Sequence, residues 1–294
     1  QCPDELQAIL NDPEKRRKLV IYINPPYAEA GNKRQMSGQG KNKDGVSFDN
    51  KIYEKYKDKV GTAAREIFIE FLLKIYSEID GCIIGDFSTL KILTGVNFLK
   101  FRKLFDAKLE SLFIVPAKTF DNVNGEFPIG FFVWNTNKSK LKSDYYVADI
   151  YDSNGLWVGR RNFYQYDDSK FLLEWIRHYY DVNGDLIGFV RVNGQDMQNN
   201  AGLFVCNTLT ANDLRAHFYF KITKKNVLPM SIYFAVRKII EHTWINHNDQ
   251  FLFPNDGWKT DRVFQTDCLI YTLFADKNRI SIGGDAKQGS DVFN

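Results

Sequence analysis

Four consecutive residues, Asn24-Pro25-Pro26-Tyr27, have the types and the spacing that chemistry on a planar amine requires. Two consecutive prolines stiffen the backbone, so that the amide oxygen of Asn24 and the carbonyl oxygen of Pro25 can both point outward. Two such acceptors take up the N–H protons of an exocyclic amine and leave the lone pair of its nitrogen less delocalised. The ring of Tyr27 can stack on a planar base. These residues therefore predict a site that binds a planar amine and activates its nitrogen.

A buried strand must position this motif. Residues 19–23 (Leu-Val-Ile-Tyr-Ile) form a continuous apolar run rich in β-branched side chains, which is typical of a strand in a parallel sheet. The prolines end the run, since neither can donate to a ladder. The carboxyl ends of parallel strands are where α/β folds place their ligands. The alternative reading of the same residues is a proline-rich turn capped by asparagine.

The following residues predict an α/β fold with a mostly parallel sheet. Apolar periodicity predicts a polar helix over 4–18, an amphipathic helix that begins near residue 63 and ends at 80–81, and a helix over 97–109. Strands are expected at 82–85, 111–115 and 129–134, the last two as an antiparallel pair that closes a sheet edge. Residues 31–59 are polar and rich in lysine, and we expect a long exposed loop there.

The segment Ile21–Tyr27 resembles the catalytic motif of amino-methyltransferases that use S-adenosylmethionine, chiefly DNA adenine-N6 methyltransferases of restriction–modification systems. The resemblance implies that residues 1–140 are the C-terminal part of a Rossmann-like methyltransferase sheet with a closing β-hairpin. Residues 141–294 would be a mixed α+β extension that leads toward a DNA-recognition region. The implied cofactor is S-adenosylmethionine, the implied partner is double-stranded DNA, and no metal is required. The target base would have to leave the duplex first.

The resemblance also implies roles for individual residues. In this family the Asn-Pro-Pro-Tyr residues are catalytic, which corresponds to Asn24, Pro25, Pro26 and Tyr27. An aromatic residue of the following hairpin packs against the flipped adenine; Phe120 is the candidate and Phe127 the alternative, although ordinary core packing explains either residue equally well. Arg102 lies on the helix that precedes this hairpin. The same motif chemistry serves enzymes that act on RNA or on protein glutamine, and a non-catalytic DNA-binding module is a further alternative.

The chain departs from the family pattern at the cofactor site. The family binds its cofactor through a glycine-rich turn upstream of the motif, but only 23 residues precede Asn24 and none of them is glycine. We therefore expect the cofactor-binding segment to lie outside these residues, and the isolated chain to be inactive. A fused or partner nuclease and a specificity region are also implied by the resemblance.

A basic stretch follows the motif. The segment from 31 to 45 contains one acidic residue, Asp44, and four basic residues, namely Lys33, Arg34, Lys41 and Lys43. Such a segment can contact DNA phosphates, although a solvated loop is an equally good reading. The aromatic residues between 157 and 180 could likewise stack on bases, but core or interface packing is the commoner use of such residues.

The charge, the cysteine and histidine spacing and the apolar runs of the chain exclude several classes of protein. The net charge of +3 is too small to indicate a polyanion-binding surface over the whole chain. The four cysteines are far apart and form no C-x-x-C pair, which favours reduced thiols and a cytoplasmic protein. No apolar run is long enough for a membrane span. His242 and His247 do not have the spacing of a zinc-binding helix.

Overall fold

A computed structural model of the chain describes residues 3–25, 51–79, 81–120, 125–140, 145–164, 171–216, 218–276, 278–281 and 292–293. The chain forms two compact units, residues 1–167 and residues 168–294. Each unit has its own sheet and its own helices, and each is described separately.

The first unit combines one sheet with six short helices in its described part. Its elements in chain order are α1 (Asp4–Asn11), α2 (Pro13–Arg16), β1 (Val20–Ile23), α3 (Lys51–Val60), α4 (Ile67–Glu78), β2 (Ile83–Thr89), α5 (Lys91–Thr94), α6 (Leu99–Leu104), β3 (Lys108–Pro116), β4 (Pro128–Asn135), β5 (Tyr145–Tyr151) and β6 (Trp157–Tyr164). The side chain of Asp12 accepts hydrogen bonds from the amides of Glu14 and Lys15, and Pro13 occupies the first position of α2. A new helix therefore begins at residue 13, which divides the single predicted helix into two.

The sheet of the first unit has six strands in the order β1-β2-β4-β3-β5-β6. The pairs β1–β2 and β3–β5 are parallel, whereas β2–β4, β3–β4 and β5–β6 are antiparallel. The predicted α/β class is confirmed, but the sheet is mixed rather than mostly parallel. The predicted antiparallel pair of β3 and β4 is present, yet it does not close an edge, because β4 lies between β2 and β3.

One face of this sheet is covered by helices. Phe101 and Phe105, from α6 and the residue that follows it, stack on each other, and the ring of Phe105 lies 5.3 Å from that of Trp134 on β4. Asp86 on β2 is opposite Phe132 on β4 and shares this face, since side chains alternate along a strand. The face is thus the main apolar core of the unit. The helix α4 contributes fully buried residues to the core, namely Phe68, Ile69 and Leu72.

Two predictions on the first unit need correction. The exposed loop expected over 31–59 is wrong for its last part, because residues 51–60 are the helix α3, which buries Tyr56 and Val60 at helical spacing. The sheet also continues past the boundary expected at residue 140, since β5 pairs with β3. The polar stretch near that boundary connects two strands of one sheet and is not a linker between domains. Residues 31–50 lie outside the described part of the chain.

The second unit has a small antiparallel sheet and a helical core. Its elements are α7 (Leu172–Arg177), β7 (Leu186–Arg191), β8 (Phe204–Cys206), α8 (Ala211–Ala216), β9 (Tyr219–Thr223), α9 (Val227–Lys238), α10 (Arg262–Phe274), β10 (Ile280–Ser281) and β11 (Val292–Phe293). Strand β7 lies between β8 and β9, and β10 pairs with β11. The helix α9 is the centre of the core, since residues 229–235 are all buried. The second unit thus combines α and β elements, whereas residues 145–164, which the expected extension over 141–294 included, belong to the sheet of the first unit.

Candidate functional site

Asn24 and Pro25 directly follow β1 at its carboxyl end. The register of β1 on the parallel strand β2 pairs Ile23 with Asp86, so Asn24 comes at the level of Phe87. Asn24 is exposed, whereas Pro25 is buried. The exposed side-chain amide of Asn24 is therefore followed by a buried proline, whose ring fixes the φ angle at residue 25. This is the carboxyl edge at which open α/β sheets bind ligands.

Six predicted site residues lie outside the described part of the chain, and their roles remain predictions. They are Pro26, Tyr27, Lys33, Arg34, Lys41 and Lys43.

Phe120 lies close to the strand pair that carries Asn24. Its ring is 5.1 Å from the ring of Phe87 in an edge-to-face arrangement, and Phe87 is the β2 residue level with Asn24. Phe87 thus links Phe120 to the strand pair β1–β2, and the motif directly follows β1. Phe127, the alternative, packs against the same small cluster, whose buried residues are Val115, Ala117 and Ile129. The amide of Ala117 donates to the carbonyl of Phe127 at 2.8 Å, which holds the two candidate rings on one hairpin.

An aromatic face extends from this point across the sheet, on the side opposite the helices. It consists of Tyr22, Phe87, Phe113, Phe120, Phe131 and Tyr151. Neighbouring rings are in contact: Phe87 is 4.8 Å from Phe131, and Phe131 is 5.2 Å from Phe113. Tyr22, beside the motif, is 65% exposed. Each of the strands β1 to β5 contributes one ring to this face, so no pattern within a single strand indicated it.

A buried carboxyl group lies beneath the motif on the opposite face. Asp86 is fully buried, and burial raises its pKa to about 7, an effect that nearby Ser88 and Trp134 only partly offset. Within the described residues, neither carboxylate oxygen has a hydrogen-bond partner, and the same is true of the Ser88 hydroxyl and the Trp134 Nε1–H group. Sequence reasoning missed Asp86, although an aspartate inside the apolar segment 82–87 was a visible signal.

Arg102 has a structural partner. Its Nη1 donates to the carbonyl oxygens of Gly95 at 2.9 Å and Ile92 at 3.3 Å. The guanidinium therefore ties α6 to the end of α5. Its contacts are with protein backbone, and they assign it no contact with a substrate.

The described residues that precede the motif, 3–23, contain no glycine, so this stretch offers no position at which a backbone without a Cβ atom could closely approach the methionine carboxylate or the ribose of S-adenosylmethionine. No group of three or more potential metal ligands occurs among the described side chains. His242 Nε2 and His247 Nδ1 are 3.1 Å apart. No helix in the described ranges is long and apolar enough to cross a membrane.

No protein-family model and no curated protein matches the chain. Among solved structures, the chain is similar to the ATP-dependent Type ISP restriction-modification enzyme LlaBIII bound to DNA, with 13% identity and a TM-score of 0.29. It is also similar to the DrdV–DNA complex, with 15% identity and a TM-score of 0.28. Each match covers 61% of this chain, but only 15% of the first structure and 20% of the second. At these TM-scores neither structure assigns a function to the chain.

Proposed function

We propose that the first unit is the base-handling part of a DNA adenine-N6 methyltransferase of a restriction–modification system. The observation that carries the proposal is the position of Asn24: an exposed amide at the carboxyl end of a parallel strand, followed by a buried proline, beside an aromatic cluster that includes Phe120. A polar pair of acceptors next to a surface of rings suits a planar base that carries an amine.

The proposed roles follow from the resemblance of the motif and the chemistry of its residues. The Asn24 amide oxygen and the Pro25 carbonyl oxygen accept the two N–H groups of the target amine. The nitrogen lone pair is then less conjugated with the ring and more nucleophilic. Tyr27 and Phe120 flank the base, which is extruded from the duplex because a stacked amine is out of reach. Lys33, Arg34, Lys41 and Lys43 would contact phosphates.

S-adenosylmethionine is the proposed methyl donor because of the resemblance of the motif. No residue of this chain is assigned to it, and no step is derived through it. On this proposal the chain contributes the acceptors and the rings. The cytoplasmic location stays part of the same proposal.

The proposal is tested by methyl transfer in the protein as expressed from its own gene. Labelled methyl groups from S-adenosylmethionine are offered together with duplex DNA, ribosomal RNA or protein. Asn24→Ala is expected to lower the rate on DNA by roughly 10²–10³-fold, as does loss of one preorganised hydrogen-bonding group in other enzymes. Asn162→Ala is the matched control, because Asn162 is exposed in the middle of β6, within the same sheet. It should leave the rate unchanged.

The other outcomes separate the alternatives. Unchanged transfer by Asn24→Ala would refute the assigned roles. If the label enters only RNA or protein, the assigned substrate changes and the proposed chemistry on the amine is retained. DNA binding without any methyl transfer would indicate a non-catalytic module.

A further inference from the structure

The second unit contains a cavity of about 480 Å³ that the proposed reaction does not use. It lies between α7, the residues that follow β7, and the start of β9. Its polar side chains are Arg177 and Gln195, and its aromatic ones are Tyr180, Phe218, Tyr219 and Phe220. A cavity of this size, with apolar walls and a few polar groups, has the character of a small-molecule site.

The aromatic residues that line the cavity differ in how far they are exposed. Phe220 is held from inside by Tyr233, at 5.8 Å between ring centroids, and its ring lies 6.3 Å from that of Tyr180. Tyr180 and Phe218 are 44% and 43% exposed, which is high for large rings in a folded unit. The cavity thus has a fixed inner ring and exposed rings around its opening. These are surfaces on which a planar group can stack.

Among the described residues that line the cavity, Arg177 carries a charge and none is acidic. The Arg177 guanidinium makes no hydrogen bond or ion pair within the part of the chain that the structure describes. An arginine without a carboxylate beside a cavity offers a planar set of donors to an anion, and phosphate matches that set well.

A second guanidinium lies behind the cavity wall. Arg237 on α9 is only 2% exposed, and its Nη1 donates to the carbonyl oxygen of Gly194, a lining residue, at 2.9 Å. Its other partners are the Tyr233 hydroxyl and the Asn200 side-chain oxygen, both neutral. No described carboxylate pairs with this buried charge. Because charges are weakly screened in a protein interior, Arg237 raises the potential in the cavity and favours an anionic ligand.

We propose that this cavity binds a nucleotide, with Arg177 on the phosphate and the base stacked against the exposed rings of Tyr180 and Phe218. Gln195 supplies both a donor and an acceptor to the edge of the base. The site belongs to the second unit alone and does not depend on methyl transfer. The nucleotide can be part of a nucleic-acid strand or free in solution, and the test distinguishes these two sources.

The test is binding by the full chain. Calorimetry is used with adenosine monophosphate and with inorganic phosphate, and fluorescence anisotropy with a labelled single-stranded oligonucleotide and with a duplex.

Arg177→Gln is expected to raise the Kd about tenfold or more, as for loss of hydrogen bonds to a charged group. With the oligonucleotide it should also make the salt slope less negative by about 0.7. Tyr180→Ala should raise the Kd by about five- to a hundredfold. Both residues are exposed, and thermal melts verify that the variants fold.

Two controls make the result specific. Arg262→Gln removes the same charge from an exposed arginine outside the cavity and should change the Kd less than twofold. Asn162→Ala changes an exposed residue of β6 in the first unit, to which no role is assigned, and should also bind as the wild type does. Binding of the monophosphate and the oligonucleotide supports a site open to both sources, and binding of the strands alone supports a nucleic-acid site. The proposal is overturned if none of these ligands binds, if inorganic phosphate binds as tightly as the nucleotide, or if Arg177→Gln and Tyr180→Ala bind as Arg262→Gln does.

Discussion

The first unit is expected to lose stability as the pH rises from acidic to neutral. Replacing Asp86 by asparagine should abolish this loss. Burial raises the pKa of Asp86 from 3.8 to about 7, so the folded state holds a proton that the unfolded state has already released. Between these two values the folded unit binds more protons, and its free energy of unfolding falls as the pH rises. Above about pH 7 both states are ionised and the loss is complete.

The magnitude follows from the interval between the two pKa values. About three pH units at 1.36 kcal/mol per unit amount to about 4 kcal/mol. Asparagine has nearly the same shape and cannot ionise. The stability of Asp86→Asn relative to the wild type should therefore rise by about 4 kcal/mol from about pH 4 to about pH 8, on top of any constant offset from its amide.

The assay is hydrogen exchange of the β2 and β4 amides in urea, read by mass spectrometry, because it reports the opening free energy of this unit separately from the other one. Asp152→Asn is the control. The amides of Leu156 and Asn154 donate to Asp152 and lower its pKa, so its contribution is present at neutral pH and is lost on acidification, with the opposite sign. A difference between Asp86→Asn and the wild type that stays constant over the whole pH range would refute the reasoning.

Two further predictions concern the second unit. Arg237→Met should destabilise the unit by about 3 kcal/mol in urea unfolding, since it leaves the Asn200 side-chain oxygen and the Tyr233 hydroxyl buried without this donor; an effect as small as that of Arg262→Met would contradict this. Burial raises the pKa of the Cys206 and Cys268 thiols to about 11, so only about one in a thousand is ionised at pH 8. Iodoacetamide should therefore alkylate them only after unfolding, as read by peptide mass mapping, and fast labelling of the folded chain would be the contrary result.

Local patterns in the sequence predicted the elements around the motif. The run at 19–23 is the strand β1, although β1 is an edge strand with exposed and half-buried residues and not the buried strand expected. The strands expected at 111–115 and 129–134 are the cores of β3 and β4. The position of β4 inside the sheet could not be read in this way, because strand order depends on contacts between distant residues. One signal was present nonetheless: the segment 129–134 is apolar at nearly every position, which is typical of a strand covered on both faces.

Other features had no local signal. The strand β6 was missed because Arg160, Arg161 and Asn162 interrupt the apolar pattern, as an edge strand with a solvated face allows. The contact of Phe120 with Phe87, on the strand next to β1, results from the hairpin that follows β3. The cavity of the second unit joins residues from 173 to 220, so no single segment indicated it.

The prolines after β1 have a consequence for association with other chains. β1 is the outermost strand of the sheet, and no described strand pairs with its outer edge. An open strand edge can recruit a strand from another molecule, which would lie about 4.8 Å away. Since neither Pro25 nor Pro26 has an N–H group, such pairing can extend no further than Asn24. The residues that stiffen the motif thus also confine any added strand to four or five residues and keep it from covering the acceptors.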